Sequence, residues 1–244
     1  MRNILFTSSF DGTNYHGWQV QENAVTVQQT VQDSFEQITG KRDDIIGCSR
    51  TDAFVHANMY CFNIRTECEM PCSVMKRAMN AVLPRDIAVF DCKEVPLDFH
   101  ARYSCKSKEY IYKIWNCESK NPFLYNYSLH WQYPLDCDFL DRQAKDFIGK
   151  YDYSSFCSAG SSVENKVRNV ISSSLFKQGN TVIFKVEADG FLYNMVRIMV
   201  GTLLDISAGK ISPDSIKEII EAKNRDMAGI TVPGKGLYLS KVNY

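Results

Sequence analysis

Apolar and polar positions change period several times along the chain, and each change marks an element. Arg2 to Phe10 reads as a strand. Thr26 then caps a helix whose Val27, Val31, Phe35 and Ile38 share one face until Gly40 stops it. Strands are expected at Asp44 to Cys48 and Asn58 to Ile64, and a helix over Pro71 to Leu83 carries Val74, Ala78 and Val82. Ile87 to Val95 completes the set as a strand. The order β-α-β-β-α-β is the split-βαβ, or ferredoxin-like, arrangement, an antiparallel sheet with both helices on one face.

The order then recurs. Ser107 to Asn116 and Ser128 to Tyr133 read as strands, and Asp138 to Gly149 as a helix with apolar Leu140, Ala144 and Ile148. Val167 to Lys177 and Thr181 to Ala188 form a hairpin about Gln178-Gly179-Asn180. Phe191 to Ser207 is the most apolar helix and belongs deep between layers. Ser212-Pro213 opens a helix to Lys223, and Gly236 to Tyr244 closes the chain as an alternating strand. The fold class expected is α+β, in two similar halves, 1–104 and 105–244, with a cleft at their junction.

At 244 residues, 45% hydrophobic and 23% charged, the chain suits one large domain or two small fused ones. No apolar run approaches the roughly 20 residues of a membrane span. The first residues lack a secretory core followed by a cleavage site, so a cytoplasmic location is expected. Nine cysteines, an odd number with no CxxC pair, point to reduced, buried thiols rather than disulfides or zinc. His16, His56, His100 and His130 lack metal-ligand spacing, so no metal is expected. Lys plus Arg balances Asp plus Glu at 28 each, which removes any global signal for nucleic acid. A local stripe remains. Arg102, Lys106, Lys108 and Lys113 interleave with Tyr103, Tyr110 and Tyr112, a mixture that suits phosphates and bases, and equally a solvated strand face.

The densest chemistry lies in Gly47 to Ala57, where Asp52 stands between Arg50, Thr51 and an apolar flank. A carboxylate beside a cation and stripped of water by apolar neighbours is a competent nucleophile. The same residues also suit a plain polar turn. Arg197 poses a matching question, because a guanidinium within a helix of Met, Val and Leu either meets an anion or snorkels to water.

Five motifs, in order, give the chain a family resemblance. Phe10-Asp11-Gly12-Thr13-Asn14-Tyr15-His16-Gly17-Trp18-Gln19 comes first, then Arg50-Thr51-Asp52-Ala53 with Val55-His56-Ala57. Phe99-His100-Ala101-Arg102 with Lys108-Glu109-Tyr110-Ile111-Tyr112 is the third, and Gly190-Phe191-Leu192-Tyr193-Asn194-Met195-Val196-Arg197 with Val200-Gly201-Thr202-Leu203-Leu204 the fourth. Gly236-Leu237-Tyr238-Leu239 closes the series. End to end, the chain resembles the tRNA pseudouridine synthase A family.

The resemblance implies two pseudo-symmetric halves sharing a central mixed, mainly antiparallel sheet, a homodimer, no cofactor and no metal. It implies isomerisation of uridines in the anticodon stem-loop of tRNA, at tRNA positions 38 to 40. By the same mapping Asp52 is the catalytic nucleophile, Arg197 its basic partner, and Tyr110 the ring that stacks on the target base. Arg50 and Leu239 are implied as substrate-binding residues. The chemistry agrees: the N1 to C1′ bond breaks, the uracil turns and rejoins through C5, and no atom is gained or lost. A carboxylate can act at ribose C1′, at uracil C6 or on the C2′ proton, and sequence does not choose among these. A stacked base must first leave the helix, which costs a few kcal/mol.

Two positions depart from the family's glycines, Ser49 and Phe54. If those glycines use positive φ, a phenylalanine is strained, and the loop must relax or take another path. Val232-Pro233-Gly234-Lys235 also departs from the usual alanine-flanked proline. Other readings are a non-catalytic RNA-binding protein and a carboxylate glycosidase, which needs a second acid that the loop lacks. Trp18 is expected to anchor its loop on the core, and His56 and His100 to pack or cap.

Overall fold

The computed structural model describes residues 1–161 and 163–244. In chain order the elements are β1 (Arg2–Phe10), α1 (Val27–Thr39), β2 (Ile45–Gly47), β3 (His56–Thr66), α2 (Cys72–Val82), β4 (Ile87–Val95), β5 (Ser107–Asn116), β6 (Leu129–Trp131), α3 (Cys137–Lys145), β7 (Gly149–Asp152), β8 (Val167–Gln178), β9 (Thr181–Ala188), α4 (Met195–Ser207), α5 (Ile216–Ala222) and β10 (Leu237–Asn243). The fold is α+β, as expected. Two compact units divide it, Met1–Lys106 with Tyr238–Tyr244, and Ser107–Leu237.

In the first unit β1 runs antiparallel to both β3 and β4, β2 pairs antiparallel with β3, and β10 lies parallel to β3. Helix α1 starts where Thr26 accepts the Gln29 N–H and stops at left-handed Gly40. Phe6 stacks on Phe62 at 5.0 Å and meets the edge of Phe35 from α1 at 6.2 Å. Burial of each such ring stabilises the unit by about 1.5–3 kcal/mol. The opposite face of β1 and β3 is polar yet closed. There Asn63 Nδ2 donates to Asn3 Oδ1, Asn3 Nδ2 donates to the carbonyls of Pro96 and Phe99, and the Ala101 N–H returns to Asn63 Oδ1. Segment 96–101 thereby satisfies two buried amides that would otherwise be costly.

Helix α2 buries Met75 and Met79 rather than the expected Val74, Ala78 and Val82, and Val74 is exposed. Two apolar stripes at the same spacing compete on this helix, and the one carrying the larger side chains covers the sheet.

In the second unit β5, β9, β8 and β7 pair antiparallel in that order, and β6 lies parallel to β5. A turn at 146–148 replaces the end of the helix expected to reach Gly149, and β7 starts at Gly149. Helix α3 ends at Lys145, and Gly149 takes φ 137 where a Cβ would lie 2.4 Å from the Tyr151 ring. Helix α4 begins at Met195, not Phe191, because Asn194 is left-handed. Helix α5 begins at Ile216 instead of following Ser212-Pro213. Asp214 is left-handed and is held by Gln143, which donates to its carboxylate at 2.6 Å and accepts its N–H at 2.7 Å.

All nine cysteines are free, but only Cys48, Cys61 and Cys157 are buried, so the expectation of buried thiols holds for a minority. Burial pushes the Cys61 thiol up to about 11. Among the described residues no helix is long and apolar enough to cross a membrane.

Candidate active site

The Asp52 loop leaves β2, turns back and enters β3, and the segment Phe10 to Trp18 clamps it. Trp18 N–H donates to Thr51 O at 3.2 Å, Phe54 N–H to Tyr15 O at 3.3 Å, and Val55 N–H to Asp52 O at 3.3 Å. Gly17 makes the clamp possible: its φ is +87, and a Cβ there would lie 2.2 Å from Thr51 O. The clamp is itself anchored. Trp18, 2% exposed, stacks on Tyr60 at 4.1 Å, and the Tyr60 hydroxyl donates to Ser49 O. Trp18 thus has the core-anchoring role expected of it.

His56 is buried, accepts the Gly12 N–H on Nδ1 at 3.0 Å and stacks on Tyr238 at 4.6 Å. His100 Nδ1 accepts the N–H groups of Arg102 and Tyr103. Both histidines therefore pack and cap, as expected.

Within the loop Asp52 and Ala53 are half-buried, Thr51 is buried, and Arg50 and Phe54 are exposed. The Thr51 hydroxyl has no hydrogen-bond partner among the described residues, a buried donor left open beside the carboxylate. The two departures from glycine resolve differently. Ser49 is absent from the residues with positive φ, whereas Phe54 adopts φ 65. The loop has not relaxed around the phenylalanine; it keeps the left-handed turn and carries the strain.

Arg197 lies in the first turn of α4 and is half-buried. Its Nε donates to Val232 O at 2.7 Å and its Nη1 to Asn194 Oδ1 at 2.5 Å, while its own carbonyl accepts the Val232 N–H. Asn194 in turn donates to Ser158 Oγ at 2.9 Å. Sequence reasoning missed Asn194; the signal for it was an asparagine placed just before an apolar helix, since Asn tolerates the left-handed region. The 232–235 segment works here through main-chain groups, with Pro233 O accepting the Tyr112 hydroxyl at 2.8 Å, so its unusual side chains leave this scaffold intact.

Tyr110, 5% exposed, projects from β5 and meets the Phe191 ring edge to face at 5.0 Å. Tyr112 is core, and burial raises its phenol against the opposing effect of Arg197. Within the second unit the basic and aromatic stripe does not form as one surface. Lys108 is buried, and Lys113 alternates to the other face from Tyr110. Leu239 is fully buried and lies in register with Ala57. Among the described residues no His, Cys, Asp and Glu side chains group to hold a metal ion.

The first unit thus carries a half-buried carboxylate on a clamped loop that holds no second acid, and the second unit a tethered arginine on a buried helix. A family model described as tRNA pseudouridine synthase matches residues 7–104 and 143–244, and the chain belongs to that family. Among its relatives, tRNA pseudouridine synthase A of Clostridium acetobutylicum is 45% identical and that of Caldicellulosiruptor saccharolyticus 46%, over 100% of both chains in each case. The tRNA pseudouridine synthase A 2 of Clostridium perfringens is 43% identical over the same full coverage.

Proposed function

We propose that the chain isomerises uridine to pseudouridine in the anticodon stem-loop of tRNA, at tRNA positions 38 to 40, with Asp52 as the acting carboxylate. The observation that carries the reading is the clamped loop, which fixes a half-buried Asp52 at the end of five hydrogen-bonded or stacked supports. A carboxylate that attacks, or takes a proton, gains most from being held in place before the substrate arrives.

The isomerisation separates uracil from C1′, turns it, forms the C5 to C1′ bond, and then moves the C5 proton off the ring while N1 gains one. Arg197 supplies the positive charge to Asp52; its fork can bind both carboxylate oxygens, which lysine cannot reproduce. Tyr110 stacks on the extruded base, an interaction worth about 1–3 kcal/mol. Arg50 contacts RNA beside it, and Leu239 forms part of the apolar wall behind the base. The functional halves are 1–104, bearing the acid, and 105–244, bearing the tyrosine and the arginine. The enzyme works in the cytoplasm as a homodimer and without cofactor.

Pseudouridine mapping tests the whole reading. Unmodified tRNA treated with the purified protein should gain pseudouridine within the anticodon stem-loop only. Gain confined to another arm, or none, would reject it.

A further inference from the structure

We infer that Phe54 is a stacking residue for RNA, holding a nucleobase adjacent to the uridine presented to Asp52. The inference rests on the isomerase reading for the identity of the substrate and on the loop geometry for the role.

Phe54 combines two unfavourable features. It sits at φ 65, a region that bulky side chains avoid, and it is 50% exposed. Neither feature is forced by packing of the ring itself. The next residue, Val55, is 1% exposed and supplies the apolar anchor for this part of the loop. The main chain at Phe54 is fixed by its N–H on Tyr15 O and by the neighbouring bonds at Thr51 and Val55, so the turn persists whatever side chain it carries. Glycine would satisfy that turn without strain. A ring kept there against backbone preference, and half in water, gains its value from something that comes to it.

Its surroundings specify what arrives. Along the loop the exposed residues are Arg50, two before Asp52, and Phe54, two after, while Thr51, Asp52 and Ala53 between them are buried or half-buried. A guanidinium and an aromatic face on either side of a carboxylate match the two ends of a nucleotide, phosphate and base. Tyr110 is already proposed for the target uracil, which leaves the flanking base to Phe54. A stack on that neighbour would also hold open the gap from which the target was drawn, since every base offers a π-face.

The test measures affinity and turnover with an anticodon stem-loop RNA, intact or with an abasic residue on one side or the other of the target uridine. Phe54→Gly should weaken binding of intact RNA about tenfold and lower kcat/KM in parallel, with an unfolding midpoint unchanged or higher. Phe54→Leu should behave like the glycine variant, and Phe54→Tyr like wild type. One of the two abasic RNAs should bind wild type about as poorly as intact RNA binds Phe54→Gly, and the two losses should not add. Equal affinity of wild type, Phe54→Gly and Phe54→Leu for intact RNA overturns the inference, as do abasic losses on both sides that persist undiminished in the variants. A structural role predicts instead that Phe54→Gly loses stability and that Phe54→Leu restores it. Wild-type binding without turnover sinks the isomerase reading alone, because the stacking is read from affinity.

Discussion

The two proposed catalytic groups stand on the same backbone device, built from residues of very different tolerance. Phe54 follows Asp52 by two positions at φ 65, and Asn194 precedes Arg197 by three at φ 62. Asparagine enters the left-handed region at little cost, and here its side chain also repays the turn by accepting from Arg197 and donating to Ser158. Among the described residues phenylalanine has no such local return; the residue is half exposed, and the bond it makes is from its N–H to Tyr15 O. The contrast teaches that a strained residue can be explained either by bonds it makes inside the protein or by a ligand it awaits, and that the hydrogen-bond record tells the two apart.

The contrast can be broken at each end. Asp52→Asn should abolish isomerisation, a loss of about 10³-fold or more, with folding intact. Steady-state turnover on tRNA checks it. Arg197→Lys keeps the charge but not the fork, and turnover should fall about 10- to 100-fold with the fold retained; near-normal turnover would count against the pairing with Asp52. Gly17→Ala attacks the clamp, where the added Cβ would lie 2.2 Å from Thr51 O at φ +87. It should cost about 2 kcal/mol or more in denaturant unfolding and release the acid from its position. The smallest effect belongs to the tether. Asn194→Ala should lose about 1–2 kcal/mol through left-handed strain, and Asn194→Gly should recover the stability without recovering turnover, because the acceptor for Arg197 is gone. A glycine variant that restores both would mean that Asn194 serves the backbone alone.

Much of the scaffold was legible in the residue pattern, and the exceptions share a cause. Strands β1, β4 and β5 keep their expected limits, because their patterns end at clear breaks such as Pro96 and Asn116. Helix α1 keeps both its cap and its stop. Where the structure differs, tertiary contacts chose between local options of similar merit: the Met75 and Met79 face of α2, the late start of α5 imposed by Gln143, and the early end of α3 at Lys145. In the site, the loop around Asp52 was visible as a dense polar cluster, but its role came from the family resemblance. The tether of Arg197 was hidden, since it depends on a carbonyl 35 residues away at Val232. The strain at Phe54 could be suspected from sequence, whereas the clamp that makes the strain persist could not.

The most direct measurement is release of tritium from tRNA labelled at uracil C5, with Asp52→Asn as the blank. Each uridine converted must lose its C5 hydrogen, so the wild-type protein should release label in proportion to pseudouridine formed, and the variant should release none. Release by the variant at the wild-type rate, or pseudouridine formed by neither protein, would contradict Asp52 as the acting carboxylate.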